Sequence, residues 1–204
     1  MSFSYWFFRS LFLISFKLFF GFEVIGSKKI PETGGVIVVA NHVSYLDPMV
    51  VGSAIKKRQA TFMARHGLFK IPLIGLFVGS FSFPINRDNP QPSSIKEAVN
   101  RLKRGELIVM FPEGGRRRDR TVLDAKRGVG LIAAMSNATV VPAFVDGTDR
   151  ALPTGAKFIK PAKIRVFFGD PIEIKEEKKD RDFQDKIGAA VIEALRSLKT
   201  KVKG

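Results

Sequence analysis

The sequence predicts a single α/β domain, with a central β-sheet, mostly parallel or mixed, flanked by helices and preceded by an N-terminal hydrophobic helix. Three observations lead there. Short apolar runs at Val36–Ala40, Leu107–Phe111 and Thr139–Val145 have the make-up of buried strands. Segments of helical periodicity alternate with these runs, as an α/β layering requires. The length of 204 residues, 45% hydrophobic and 26% charged, suits one folded domain with a sizeable core.

Taken in order, residues 3–22 are rich in Phe and Leu and about long enough to cross a bilayer, yet Arg9 and Lys17 fall inside them. At 100° per residue, Arg9, Ser10 and Lys17 share one narrow arc with Trp6 and Leu13. This predicts an anchor helix lying in the membrane interface, its two cations snorkelling to phosphates, with residues 1–22 forming the anchor and 23–204 the domain. A tilted span and a buried core helix are the alternatives. A signal peptide fits poorly, because charges interrupt the apolar stretch and no small-residue cleavage site follows it.

Glu23–Gly26 resembles a short strand, Pro31–Gly35 a turn, and Val36–Ala40 the central strand. The pattern of Met49, Val50, Val51, Ala54 and Ile55 suits a short helix closed by Lys56-Lys57-Arg58. Ala60–Ala64 is a second strand, leading to Arg65-His66-Gly67. His66 has no carboxylate neighbour and is expected to be a surface or packing residue. Residues 68–79 form an apolar stretch punctuated by Pro72, Gly75 and Gly79. A broken helix there could serve a membrane, an acyl chain or the core. Phe81–Arg87 alternates like a strand, and Ser94 with Glu97 suggests a capping box opening a helix that Gly105 closes.

After Leu107–Phe111 comes Pro112-Glu113-Gly114-Gly115-Arg116. Its glycines free the backbone to approach a ligand, and its arginines offer planar forks for phosphate. Lys126 precedes a small-residue helix from Val129 to Ser136 whose N-terminus favours an anion. Thr139–Val145 is a strand, Asp146–Thr148 a turn, and Lys163–Phe168 the last strand. Phe183, Ile187, Val191, Leu195 and Leu198 mark an amphipathic C-terminal helix with a basic tail.

Composition narrows the chemistry. The chain has no cysteine, which excludes disulfides, thiolate metal sites and a cysteine nucleophile. With two histidines, a multi-histidine metal centre is not expected either. A net charge of +15 suits anionic partners: nucleic acid, an anionic membrane surface or phosphorylated small molecules. Nineteen Phe against one Trp and two Tyr favour the membrane.

The candidate site is Asn41-His42-Val43-Ser44-Tyr45-Leu46-Asp47-Pro48, directly after the central strand. Histidine can take a proton near neutral pH, and an aspartate can fix its tautomer and stabilise the imidazolium. On a regular helix, residues five apart point roughly 140° from each other. His42 and Asp47 can therefore meet only if a turn leads into a helix, which Asp47-Pro48 allows.

With these residues in view, the chain resembles the glycerolipid acyltransferase family, and most of all its bacterial lysophosphatidic acid acyltransferases. Asn41-His42-x-Ser44-x-x-Asp47 resembles the NHxSxxD block, and Phe83–Arg87 a second block. Phe111–Arg116 resembles FPEGTR, and Val141-Pro142-Ala143 a fourth block. Lys126 and Gly128 match a Lys-x-Gly element. Asn86 stands where the family usually has Asp, Gly115 where it has Thr, and Arg65 where many members have Lys.

The resemblance implies a glycerol-3-phosphate acyltransferase-like fold and transfer of an acyl group from acyl-CoA or acyl carrier protein to the sn-2 hydroxyl of lysophosphatidic acid. The enzyme would work at the cytoplasmic face of the cell membrane, needing no cofactor beyond the thioester co-substrate. His42 would be the general base and Asp47 its orienting partner. Arg87 and Arg116, with Arg65 and Lys126, would hold the acceptor's phosphate. Backbone N–H groups at Gly114 and Gly115 would meet the oxyanion. Glu113 would hold a basic residue or the acceptor hydroxyl, and Ser44 is expected to be a turn residue. A sister enzyme acting on glycerol 3-phosphate or another lysophospholipid would use the same cations. The rival from another class is a non-catalytic basic module for nucleic acid or a membrane surface. Nucleic acid is disfavoured because no aromatic platform interleaves the arginines.

Overall fold

The computed structural model describes residues 3–72, 74–85, 92–112, 127–174 and 180–203. In chain order they form α1 (Phe3–Phe20), β1 (Glu23–Ile25), β2 (Val36–Ala40), α2 (Asp47–Ala54), β3 (Ala60–Arg65), α3 (Ile74–Gly79), β4 (Ser82–Ile85), α4 (Pro92–Lys103), β5 (Leu107–Met110), α5 (Arg127–Ser136), β6 (Thr139–Asp146), α6 (Thr148–Ala151), β7 (Arg165–Phe168) and α7 (Arg181–Lys203).

The strands make one sheet in the order β1-β7-β6-β2-β5-β3-β4. From β6 to β4 all neighbours are parallel, with Val36 of β2 level with Thr139 on one side and Leu107 on the other. β7 reverses, antiparallel to β6 and parallel to β1. The expected α/β domain with a mixed sheet is what forms.

β2 is buried along its whole length because helices cover both faces of the sheet. Side-chain alternation sorts the core into two layers. Val36, Val38 and Ala40 pack with Tyr5 and Phe16 of α1 and Val50, Val51 and Ala54 of α2. Ile37 and Val39 pack with Val99 of α4, Ile132 of α5 and Ile187, Val191 and Leu195 of α7.

The carboxyl ends of β2, β3, β4, β5 and β6 share one edge. The reversed β7 starts at that same edge, with Arg165 opposite Asp146. The end of α1 is brought there too, since the Ile164 N–H donates to the Phe20 carbonyl at 3.0 Å.

The N-terminal helix forms, ending at Phe20 because Gly21 turns left-handed at φ +49°. It is long and apolar enough to cross a membrane by length and composition, but it is docked on the domain through one face. The Tyr5 hydroxyl accepts the Ala60 N–H at 3.1 Å. Arg9 donates Nε to the Ile55 carbonyl at 2.8 Å and Nη2 to the Ser53 carbonyl at 3.0 Å. This corrects the expectation that Arg9 snorkels to lipid phosphate. The last carbonyls of α2 lack helical partners and carry the negative end of its dipole, so the cation turns inward to them. Lys17 remains exposed.

Other expectations shift as well. α4 begins at Pro92, so Ser94 lies within the first turn and is no cap, and Glu97 pairs with Arg101 at 2.7 Å instead. In the 68–79 stretch, Phe77 packs among Phe8, Phe12 and Phe81, while Leu68 and Ile71 stay exposed. Arg58, read as part of a helix-closing cationic triplet, is buried and donates to the carbonyls of Pro31, Gly34 and Gly105. It thereby ties loops together at the edge opposite the candidate site. The turn expected at Asp146–Thr148 is taken up by β6, which runs to Asp146, and by α6, which opens at Thr148.

Candidate active site

β2 ends at Ala40, and the chain turns through residues 41–46 before α2 opens with Asp47. The turn folds the carboxylate back on its own loop, which resolves the 140° problem. Asp47 Oδ2 lies 2.9 Å from His42 Nδ1 and accepts the N–H groups of Val43 at 2.7 Å and Ser44 at 2.8 Å. Asp47 is 0% exposed and His42 is 7% exposed. So buried a carboxylate needs its lone pairs filled, and these donors do so.

An ionised carboxylate only accepts hydrogen bonds, so the proton in this contact belongs to His42 Nδ1. In the neutral ring Nε2 then carries the lone pair, the tautomer a general base needs. Phe111, just beyond β5, stacks on the imidazole at 4.4 Å between centroids and an interplanar angle of 27°, which fixes the ring plane.

The segment after β6 completes the site. Thr148 is fully buried and donates Oγ1 to Asp47 Oδ1 at 2.6 Å. Its position depends on Gly147, whose φ is +93° and where a Cβ would fall 2.0 Å from the Lys163 carbonyl oxygen. The Asn41 side chain exchanges two hydrogen bonds with the Val145 backbone, at 2.9 and 2.7 Å, continuing the β2–β6 ladder by one residue. Ser44 Oγ donates to the Leu152 carbonyl at 2.9 Å and accepts the Leu46 N–H at 3.3 Å. Ser44 is thus a turn residue, as expected.

Asp146 clamps the same segment through Arg150 and Arg165, each reaching Oδ2 at 3.2 Å. Burial pushes the Asp146 carboxyl up, but its bonds and charge contacts with Arg150 and then Arg165 outweigh burial and hold it below the ordinary carboxylate range.

Of the residues singled out in the sequence, the structure brings His42 and Asp47 into contact. Arg65 is exposed at the carboxyl end of β3, on the same edge, two strand spacings or about 10 Å from β2. With His66, Gly67, Leu68, Ile71 and Ile85 it lines a recess of about 440 Å³. His66 is exposed there, in keeping with a surface position. Arg87, Glu113, Gly114, Gly115, Arg116 and Lys126 lie outside the described residues. Among the described residues no cluster of three or more His, Asp or Glu side chains could hold a metal ion. Sequence reasoning missed Thr148 and Asn41 as supports. Thr148 falls in the expected turn Asp146–Thr148 and Asn41 in the NHxSxxD block, but their partners were not visible.

A buried histidine–aspartate pair at the carboxyl edge of an α/β sheet has the geometry of a general base and its orienting partner. The comparisons place the chain in a family. The acyltransferase family model matches residues 21–146, and the chain belongs to that family.

A 1-acyl-sn-glycerol-3-phosphate acyltransferase of Bacillus subtilis is 33% identical over 153 residues, 74% of each chain. One of Streptococcus pneumoniae is 35% identical over 158 residues, covering 76% of this chain and 56% of that one. The chain thus spans little more than half of the second relative. The crystal structure of the 1-acyl-sn-glycerophosphate (LPA) acyltransferase PlsC from Thermotoga maritima superimposes with a TM-score of 0.73 and 27% identity, over 93% of this chain and 78% of that one.

Proposed function

We propose that this enzyme transfers a fatty acyl group from an acyl thioester, acyl-CoA or acyl carrier protein, to the free sn-2 hydroxyl of lysophosphatidic acid, giving phosphatidic acid. The observation that carries the mechanism is the 2.9 Å contact of His42 Nδ1 with Asp47 Oδ2, from which the proton is assigned to Nδ1. His42 Nε2 takes the proton of the acceptor hydroxyl as its oxygen attacks the thioester carbonyl. The tetrahedral intermediate collapses with expulsion of the thiolate, to which the imidazolium returns the proton. Asp47 steadies the imidazolium in between. A thioester is already activated, so no covalent acyl-enzyme is required. The names of the relatives support this acceptor.

The remaining roles are proposals on the same footing. Arg87 and Arg116, assisted by Arg65 and Lys126, bind the acceptor's phosphate. The Gly114-Gly115 N–H groups meet the oxyanion, and Glu113 orients a cation or the hydroxyl. Helix α1 lies in the interface of the membrane's cytoplasmic face. Its docked face is fixed to α2, while Phe3, Phe7, Leu11, Ile14, Leu18 and Phe19 are exposed to enter the lipid. A helix tied to the domain along its length by Tyr5, Arg9 and Phe16 favours lying over spanning.

The test is thioester release from palmitoyl-CoA in mixed micelles containing lysophosphatidic acid. Acceptor-dependent release is expected from the parent, falling about 10²–10⁴-fold in His42→Ala. Release within tenfold of the parent would remove His42 from the role of base.

A further inference from the structure

Between α6 and β7 the chain makes an excursion from Leu152 to Ile164, and among the described residues outside α1 its Phe158 is the most exposed large apolar side chain, at 80%, with Ile159 at 56%. Every residue from 155 to 161 is exposed. The base of the excursion is nonetheless fixed. The Lys160 N–H donates to the Ala151 carbonyl at 2.8 Å and the Ala156 N–H to the Pro153 carbonyl at 2.9 Å. Thr154 Oγ1 reaches the Val43 carbonyl at 3.5 Å, and the Leu152 carbonyl accepts Ser44 Oγ. A fixed loop presenting an aromatic and a β-branched side chain to water has a use for them outside the fold.

The surroundings say which use. Lys157 and Lys160 flank the apolar pair, both exposed. The loop returns to the sheet through the Ile164–Phe20 hydrogen bond, which puts it beside the last turn of α1, with Leu18 72% and Phe19 69% exposed and Lys17 exposed. Neither Lys17, Lys157 nor Lys160 forms an ion pair with another described residue. An apolar tip collared by exposed lysines, level with the exposed end of an apolar helix, complements an anionic bilayer: hydrocarbon for Phe158 and Ile159, phosphates for the lysines.

We infer that the 152–164 excursion is a second membrane-inserting element, which fixes the rotation of the protein about α1 and turns the edge bearing His42 toward the lipid headgroups. The inference rests on the proposed lipid acceptor for its purpose but not for its test. A helix alone leaves the domain free to roll about its axis; two insertion points beside the site remove that freedom. The loop's base bonds to the His42–Asp47 turn, so the tip that enters the lipid and the base that takes the proton belong to one connected edge.

The chain's lack of cysteine makes the test direct. The full-length Phe158→Cys variant carries a single nitrobenzoxadiazole label, and Met135→Cys, on the opposite helical layer, serves as control. On phosphatidylglycerol vesicles the label at 158 is expected to brighten, shift to the blue and be quenched by nitroxide-bearing lipid, while that at 135 stays wet. The Phe158→Asp/Ile159→Asp double variant should lose tenfold or more of its turnover on lysophosphatidic acid in those vesicles yet keep turnover on a short-chain, water-soluble acceptor.

A label at 158 that stays wet on protein sedimenting with the vesicles would overturn the inference, as would equal turnover losses on both acceptors. Burial of that label without lipid, on raising protein concentration, would assign the tip to a second copy and overturn it too. If the parent turned over neither acceptor, the functional reading would fail while the label still judged the loop.

Discussion

Four donors converge on the carboxylate of Asp47: the imidazole, two backbone N–H groups and the Thr148 hydroxyl. Three of them come from its own loop, so among the described residues Thr148 is what ties the carboxylate to the far side of the site. Thr148→Val keeps the shape and deletes the hydroxyl, leaving Oδ1 without this donor. A buried hydrogen bond to a charged group is worth about 1.5–3 kcal/mol, so kcat should fall roughly tenfold or more. KM for the acceptor should hold, and Thr148→Ser should restore much of the loss. Steady-state kinetics checks this; a KM effect with kcat intact would place Thr148 in binding instead. The pairing of His42 with Asp47 was legible in part: a five-residue offset lets the two meet only through a turn into a helix, which Asp47-Pro48 allows, and the resemblance to the NHxSxxD block pointed to it. Thr148 was not, since a hydroxyl that bonds a residue 101 positions away leaves no local pattern.

At the scale of elements, α2 is held at both ends. Its first residue sits in the site, and its last carbonyls are bound by Arg9 from α1. Arg9→Ala leaves those carbonyls beneath α1 without their donors. It should destabilise the protein by about 2–3 kcal/mol, a fall in Tm of roughly 5–10 °C for a domain of this size, with Arg9→Lys recovering only part. A thermal melt in detergent reads this directly. An unchanged Tm would mean that water satisfies the carbonyls and α1 is only loosely applied. The helix itself was plain in the sequence, and so were its two cations. Their different fates were hidden, because the partners of Arg9 are backbone carbonyls and carry no residue signature. The direction of β7 was equally unreadable: Lys163–Phe168 is as good a strand run forward as backward, and tertiary pairing with β6 and β1 decides it.

For the molecule as a whole, the antiparallel pairing of β6 with β7 is secured by charge. Asp146, opposite Arg165 across β6 and β7, is held below the usual carboxylate range by Arg150 and Arg165 against the upward push of burial. A depressed folded-state value means the stabilisation is fully present above the unfolded value, about 3.9, and is lost as pH falls through the lower folded value. Asp146→Asn should therefore be less stable than the parent at neutral pH. The difference should close below about pH 4, as protonation makes the parent's side chain neutral too. Denaturant titrations across that range test it, and a gap independent of pH would refute the charge clamp.

The long reach of the contacts around Asn41 and Asp47 has a consequence in time as well as in space. Asn41 awaits Val145 and Asp47 awaits Thr148, 104 and 101 positions further on. The loop that carries His42 and Asp47 therefore leaves the ribosome long before the segment that shapes it. Contacts so distant along the chain bear the loop-closure entropy that slows folding. A nascent chain halted before β6 lacks Val145 for Asn41 and Thr148 for Asp47. The fully bonded His42–Asp47 turn is thus a late event in the life of each molecule, acquired only once the second half of the chain has been made and folded back.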